Sequence, residues 1–421
     1  MNAGDPHPSG SFRRRLIGFF GLPFISFLIP LALLPIVARV GGTDGWVAVG
    51  IGQSVGGFAA IVAAYGWTLV GPSRVARMAP DRRLALYGDS LVSRGLSLAL
   101  CAPVAAVVAA VLAPSTAAGV AALMALAFSL DALSPAWYCI GVGRPGLIAR
   151  YDVLPRMIGL GAAVVALLLG APLWTYPVLQ AVGVLTGATL FSFRIGRIHE
   201  RDGVQLRRVL GEMWRDRHAA LTLITAGAYS TTPVGIVGAV TSPKTAAEFI
   251  SADRLYRVAL LAVQALGNAF QGWVAEDHPR RFTSRMRSAV LAHAALGIFG
   301  LVTIPTLGPA VTALVFGPEL GATPLTLLFF GIAFLAVSMN TSLGRHVLIP
   351  LGWERAVLAS TIAGAATGVV GVLALAAVFG GPGGAAGLAV GEVTVVLVQA
   401  GILLWLRARG RLSATDHSTG A

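Results

Sequence analysis

Three ionisable side chains lie close together in one long apolar stretch, residues 247–274: Asp253, Arg254 and Arg257. A charge near the bilayer centre costs about 2.5 to 3.5 kcal/mol on insertion scales, so three should occupy a protein-lined or watery space. Guanidinium groups present planar forks of donors that suit phosphate and carboxylate. Asp253 and Arg257, four residues apart, can partly neutralise each other on one helix face. The set predicts a binding site for an anionic cargo.

The start of this helix decides how deep the charges lie. Thr245 and Glu248 form a capping-box pattern, which predicts a helix beginning near Ala246. Arg254 would then lie about 12 Å into the helix, against a hydrocarbon half-thickness of roughly 15 Å. The alternative is a helix that begins at Leu255, so that the charges reach out to the membrane surface.

Two further residues are candidates for substrate binding. Arg39 ends the first apolar run. A faint internal repeat places residues 40–54 on residues 240–254, which sets Gln53 over Asp253. If the repeat reflects two lobes related by a pseudo-two-fold axis, these residues face one another across a central cavity.

Two acids are candidates for coupling transport to a proton or cation. Asp131 lies about 14 residues into an apolar run and is followed by Pro135, which should kink the helix. Glu392 lies a turn or two inside the last run. Each either binds a coupling ion or pairs with an arginine inside the bundle, and the sequence leaves both alternatives open.

Composition decides the class of protein. The chain has 421 residues, of which 56% are hydrophobic and 12% charged, and its mean hydropathy is +0.78. These values predict an all-α polytopic membrane protein. Twelve apolar runs of spanning length are found at roughly 16–40, 46–70, 92–113, 117–141, 153–171, 173–193, 219–241, 246–274, 288–308, 321–342, 356–380 and 384–406.

The distribution of arginine predicts the topology. The net charge is +13, and the basic residues form short clusters between apolar runs instead of one patch for nucleic acid. The clusters fill the N-terminus and every second loop, so both termini should be cytoplasmic, in a cytoplasmic membrane. The predicted divisions are a cytoplasmic N-terminus (1–15), a six-helix lobe (16–193), a basic amphipathic linker (194–218), a second six-helix lobe (219–406) and a cytoplasmic tail (407–421). The linker is interpreted either as a helix on the inner leaflet or as a solvated connection.

Enzyme motifs are largely absent from the sequence. The seven histidines are scattered, and none forms a ligand pair at helical spacing with a carboxylate. No glycine-rich loop ends in Lys followed by Ser or Thr, as phosphate cleavage by a P-loop would need. We therefore predict no catalytic residue, no metal and no cofactor.

Four stretches of the chain resemble known motifs: LALLPIVARVGGTDGW (31–46), YGWTLVGPSRVAR (65–77), SPAWYCIG (134–141) and ADRLYR (252–257). The motifs they resemble are those of polysaccharide and O-antigen (Wzx-like) flippases. The group that contains this family, the multidrug/oligosaccharidyl-lipid/polysaccharide exporters, also holds multidrug extruders and lipid II flippases.

The resemblance implies a MATE-like bundle of about twelve transmembrane helices in two six-helix lobes around a central cavity, opening alternately to each side. The implied cargo is an anionic oligosaccharide on polyprenyl pyrophosphate, and the implied partners are membrane lipids, a polysaccharide polymerase and glycosyltransferases. Two alternatives stay open. A cation-coupled multidrug extruder should have more acids than arginines in its cavity, and a membrane-embedded glycosyltransferase or polymerase usually carries a large outward loop.

Overall fold

The structure is a computed structural model that describes residues 12–196, 206–275 and 279–409. Its regular elements in these ranges are all helical. Short 3₁₀ and π turns join some of the α-helices, which are α1 Phe12–Ala64, α2 Trp67–Arg77, α3 Arg83–Leu112, α4 Ala118–Ser129, α5 Ala136–Gly141, α6 Pro145–Ile148, α7 Leu154–Leu168, α8 Thr175–Gly196, α9 Leu206–Thr231, α10 Pro233–Val240, α11 Pro243–Ala275, α12 Pro279–Phe316, α13 Pro324–Ser342 and α14 Glu354–Ala408.

The two longest helices, α1 and α14, each contain a break. Gly42 has φ 58° and ψ −163°, and Gly380 has φ 64° and ψ −137°. Residues that carry a Cβ rarely adopt this backbone conformation, so glycine is needed at both positions. In α14 the two arms pack closely against each other as antiparallel helices: a Cβ at Gly387 would lie only 2.2 Å from the backbone nitrogen of Val372, and one at Gly364 would lie 2.8 Å from the carbonyl oxygen of Gly391. Each of these helices therefore supplies two passes.

The described helices form twelve passes in two groups of six. The first lobe contains the two arms of α1, then α3, α4 with α5, α7 and α8; the second contains α9 with α10, then α11, α12, α13 and the two arms of α14. By length and composition alone, eight helices in the described ranges are long and apolar enough to span a membrane, or nine when α9 and α10 count as one span bent by 51°. The two breaks divide α1 and α14, and α11 is the remaining pass.

The second arm of α1 connects the lobes. Trp46 on this arm is 1% exposed and belongs to the same buried core as Val237 on α10 and Phe249 on α11. Its indole Nε1 donates a hydrogen bond of 3.2 Å to Ser251 Oγ, and its ring centroid lies 5.0 Å from that of Phe316. Apolar packing and a side-chain hydrogen bond thus hold the lobes together on this side.

The start of α11 differs from the prediction. The helix begins at Pro243, and its start is capped by Ser242, whose Oγ accepts a 3.3 Å hydrogen bond from the backbone N–H of Thr245. The predicted Thr245 cap is wrong because proline is well suited to the first turn, where its missing N–H has no partner to lose. The alternative start at Leu255 is also wrong. Asp253 to Arg257 therefore lie within the helix, with Arg254 about 16 Å from its start.

The predicted linker, residues 194–218, is not a separate element where it is described. Residues 197–205 lie outside the described ranges, and α9 runs without interruption from Leu206 to Thr231. Two ion pairs join α9 to the first lobe, Arg208 with the buried Asp89 and Arg74 with Asp216. The predicted boundary at residue 218 thus lies within α9.

The predicted orientation can be tested by cysteine labelling. Ser115 and Lys244 are exposed at the arginine-poor ends of the two lobes, and Arg207 is exposed at the arginine-rich end. We expect Ser115→Cys and Lys244→Cys to react with an impermeant thiol reagent in intact cells, and Arg207→Cys to react only after permeabilisation. Labelling of Arg207→Cys in intact cells would contradict cytoplasmic termini.

Candidate functional site

Arg254 lies at the interface between the lobes. Its guanidinium donates a hydrogen bond to Gln53 Oε1 on the second arm of α1, and Gln53 Nε2 in turn donates to the Tyr176 hydroxyl of α8 at 2.9 Å. Within the described ranges Arg254 forms no ion pair, and its buried Nε has no hydrogen-bond partner. A half-buried guanidinium whose described hydrogen bond goes to a neutral amide has unused capacity to bind an anion.

Asp253 and Arg257 form the predicted ion pair on the next turn of α11. Arg257 Nε lies 2.6 Å from Asp253 Oδ2, and the Asp253 side chain is 2% exposed, whereas that of Arg257 is 41% exposed. Arg257 also donates to the carbonyl oxygen of Ser230 at 3.1 Å. One carboxylate beside two guanidinium groups leaves this turn with one net positive charge.

Arg39 does not join this group. It is exposed at the end of the first pass, and its guanidinium donates to the carbonyl oxygen of Leu314 on α12 at 3.3 Å. Gln53 lies eleven residues beyond the break at Gly42, about 16 Å deeper along the second arm. The structure therefore brings together Gln53 and the charged turn of α11, and it places Arg39 near the helix ends.

Ser54, next to Gln53, completes the contact between the lobes. Its hydroxyl donates to the carbonyl oxygen of Thr231 and accepts from the backbone N–H of Gly235 at 3.1 Å. These two residues flank Pro233, where α9 and α10 meet at 51°. A broken membrane helix is tolerated where its freed backbone groups find partners, and here the partner comes from the other lobe.

Asp131 is ion-paired in the first lobe. Its Oδ1 lies 2.5 Å from a guanidinium nitrogen of Arg156 on α7, and another nitrogen of that guanidinium lies 3.1 Å from Asp152. The side chains of Asp131 and Arg156 are 33% and 21% exposed. Of the two alternatives for Asp131, this geometry favours pairing inside the bundle, with an arginine that the sequence could not single out.

A buried arginine supports the helix break beside Asp131. Arg94 on α3 is 1% exposed and donates to the carbonyl oxygens of Ala132 and Ser134, both at 2.9 Å. The chain is helical on both sides of Pro135 but broken there, as predicted, so these carbonyls have lost their helical donors. Arg94 satisfies them, which is a structural role that its place at the start of the apolar run 92–113 did not indicate.

Glu392 lies in a different environment in the second lobe. Its carboxylate accepts hydrogen bonds from the Tyr229 hydroxyl at 3.0 Å and from Asn340 Nδ2 at 2.9 Å. In the described part of the chain it forms no ion pair. An acid with neutral donors and no permanent cation suits reversible binding of a proton or cation better than Asp131 does.

Two histidines that are 53 residues apart meet in the second lobe. His293 on α12 and His346 on the π turn after α13 are both fully buried, with ring centroids 5.5 Å apart. Within the described ranges no group of three or more His, Cys, Asp and Glu side chains is placed to hold a metal ion. We assign no role to this pair.

No family model and no curated protein matches the chain. Solved structures do. A multidrug resistance MATE family transporter of the MOP superfamily, in an inward-facing conformation, matches with a TM-score of 0.66 and 16% identity over 95% of this chain and 99% of that one. The lipid II flippase MurJ in an inward closed conformation matches with a TM-score of 0.63 and 11% identity over 92% and 87%.

This chain has the twelve-helix, two-lobe MATE fold. A third structure, of MATE in complex with MaL6, agrees with a TM-score of 0.51 and 13% identity over 95% of this chain and 96% of that one. At such identities the likeness establishes the fold and leaves the cargo to be argued from the site. The matches extend over nearly the whole chain, and the prediction of the fold class is thereby confirmed.

Proposed function

We propose that this chain is a transporter that moves a polyprenyl-pyrophosphate-linked oligosaccharide across the cytoplasmic membrane by alternating access. The observation that carries the proposal is Arg254, a cation at the lobe interface that forms no ion pair in the described structure. A pyrophosphate offers several oxygens in the planar geometry that a guanidinium binds best. Arg257, exposed one turn away, supplies a second fork for the same headgroup or for acidic sugars.

The contact between Arg254 and Gln53 suits a cargo site that opens alternately to each side of the membrane. Gln53 and Arg254 belong to different lobes, so their hydrogen bond must lengthen or break if the lobes move apart. An anion that binds Arg254 would replace Gln53 as its acceptor and so favour separation of the lobes at this level. Cargo binding and lobe movement would then be coupled through one side chain. A polysaccharide polymerase and glycosyltransferases are the partners that such a cargo requires.

A cation-coupled multidrug extruder of the same fold is the second candidate. The observation in its favour is Glu392, an acid without a cation partner among the described residues. The net positive charge of the α11 turn argues against a cationic drug as cargo, since like charges repel. Glu392 is equally compatible with an ion that drives the movement of an anionic cargo.

Reconstitution in liposomes tests the cargo. We expect purified protein to speed the appearance of a fluorescent polyprenyl-pyrophosphate oligosaccharide in the opposite leaflet, because the pyrophosphate can bind Arg254 and Arg257. The same oligosaccharide on a neutral lipid should move at least about tenfold more slowly, because one lost charge-assisted contact is worth about 1.5 to 3 kcal/mol. Equal rates for both lipids, or efflux of a cationic dye in preference to either, would contradict the proposal.

A further inference from the structure

An apolar groove of about 880 Å³ lies on the surface of the first lobe, between α7 and α8. Leu154 and Ile158 form one rim and Val182, Leu190 and Phe193 the other, and each of these side chains is at least half exposed. In a membrane-spanning lobe such side chains meet lipid, so the occupant of the groove must present hydrocarbon to it.

The floor of the groove consists of backbone. A Cβ at Gly159 would lie 2.5 Å from the carbonyl oxygen of Leu179, and one at Gly183 would lie 2.7 Å from that of Pro155. The two helices therefore approach as closely as small residues allow. Large side chains on both sides of a glycine floor leave a narrow channel, which suits one unbranched chain.

Two arginines line one end of this channel. Arg150 lies on the π turn Ala149–Val153 that precedes α7, and Arg194 lies near the end of α8. Both are exposed and neither forms an ion pair in the described structure, since the nearby Asp152 binds Arg156. π turns in α-helical segments occur frequently at functional sites. Arg150 contacts the ring of Tyr151, 5.5 Å from its guanidinium carbon, so the open end presents two cations that have no carboxylate partner in the described structure.

The length of the groove fits one leaflet. From Arg150 to Ala162 the helix rises about 18 Å, close to the roughly 15 Å depth of one leaflet's hydrocarbon. We propose that the groove holds an acyl chain of a resident anionic glycerophospholipid, whose phosphate is bound by Arg150 and Arg194. Basic pockets between transmembrane helices on the cytoplasmic side are known to bind such headgroups.

The geometry favours a resident lipid over a transported one. All residues that line the groove belong to the first lobe, and they reach neither the second lobe nor Arg254. A cargo must pass from one leaflet to the other, whereas this groove spans one. The inference therefore does not depend on the proposed cargo.

Native mass spectrometry of the purified protein tests the site with two probes, phosphatidylglycerol and phosphatidylcholine of identical acyl chains. We expect the protein to retain phosphatidylglycerol in preference. Arg150→Gln and Arg194→Gln should each weaken this retention about fivefold and leave phosphatidylcholine unchanged, as expected for one basic side chain near an anionic headgroup.

Two further variants make the result decisive. Arg144→Gln removes an equally exposed arginine that does not line the groove, and it should leave retention unchanged. Ile158→Trp narrows the groove without changing charge and should weaken retention of phosphatidylglycerol. Equal losses in Arg144→Gln and the two groove variants would overturn the site, and so would full retention in Ile158→Trp. Thermal unfolding identifies any variant that misfolds. If an arginine variant misfolds, the retention of phosphatidylglycerol by Ile158→Trp decides whether the site is correct.

Discussion

Replacing Arg254 by alanine is expected to reduce glycan export at least about thirtyfold. Removing one partner of a desolvated, hydrogen-bonded charge interaction costs about 2 to 5 kcal/mol, and each 1.4 kcal/mol is a factor of ten. In this chain the loss should mainly weaken cargo binding, because the described hydrogen bond of the guanidinium goes to the neutral Gln53 and the guanidinium forms no ion pair among the described residues. No buried carboxylate is left without a counter-ion, so folding should be little affected.

Lysine at the same position should restore only part of the activity. An ammonium keeps the charge, but it lacks the planar fork that binds two oxygens of one phosphate. Arg257→Ala is a less direct test, because it would leave Asp253, whose side chain is 2% exposed, without its cation. A loss of export in that variant could therefore come from a loss of folded protein.

Export should be measured as surface glycan at matched amounts of protein in the membrane. Arg217→Ala is the matched control, since Arg217 is half-buried, as Arg254 is, and its described contacts are with Trp214 on its own helix. The control should export normally. Normal export by Arg254→Ala as well would mean that Arg254 only anchors the helix, and the proposed cargo site would be wrong.

The features that the sequence predicted are local ones. Apolar runs of spanning length follow from hydropathy, and the ion pair of Asp253 with Arg257 follows from their spacing of four residues. The break at Pro135 follows from the missing N–H and the bulk of proline. Each of these features depends on only a few neighbouring residues, so each can be predicted without knowledge of the tertiary structure. The start of α11 also depends on neighbouring residues, but the sequence offers both Ser242 and Thr245 as possible caps, and in the structure Ser242 is the cap.

The contacts that define the site depend on the packing of distant passes. Gln53 and Arg254 are 201 positions apart, and Asp131 and Arg156 are 25 apart. The faint repeat paired Gln53 with Asp253, and in the structure Gln53 contacts the neighbouring Arg254; the pseudo-two-fold axis behind that pairing stays a prediction. No pattern in the sequence indicated that Tyr176 would be the next member of this chain of hydrogen bonds.

Glu392→Gln is expected to remove the dependence of transport on an ion gradient while the protein stays folded. Glutamine keeps the volume and an acceptor oxygen for Tyr229 and Asn340, but it cannot take up or release a proton and binds cations weakly. Transport in liposomes with and without an imposed proton or sodium gradient measures the effect. The wild type should respond to one of the gradients, and Glu392→Gln should transport equally with and without it.

Two comparisons assign that effect to Glu392. Glu354→Gln changes an exposed acid at the start of the same helix and should keep the full gradient response. Asp131→Asn should keep it as well, because Asp131 is already ion-paired with Arg156 inside the first lobe. If Asp131→Asn loses the response and Glu392→Gln keeps it, coupling lies in the first lobe, and the neutral donors around Glu392 serve only to stabilise the second.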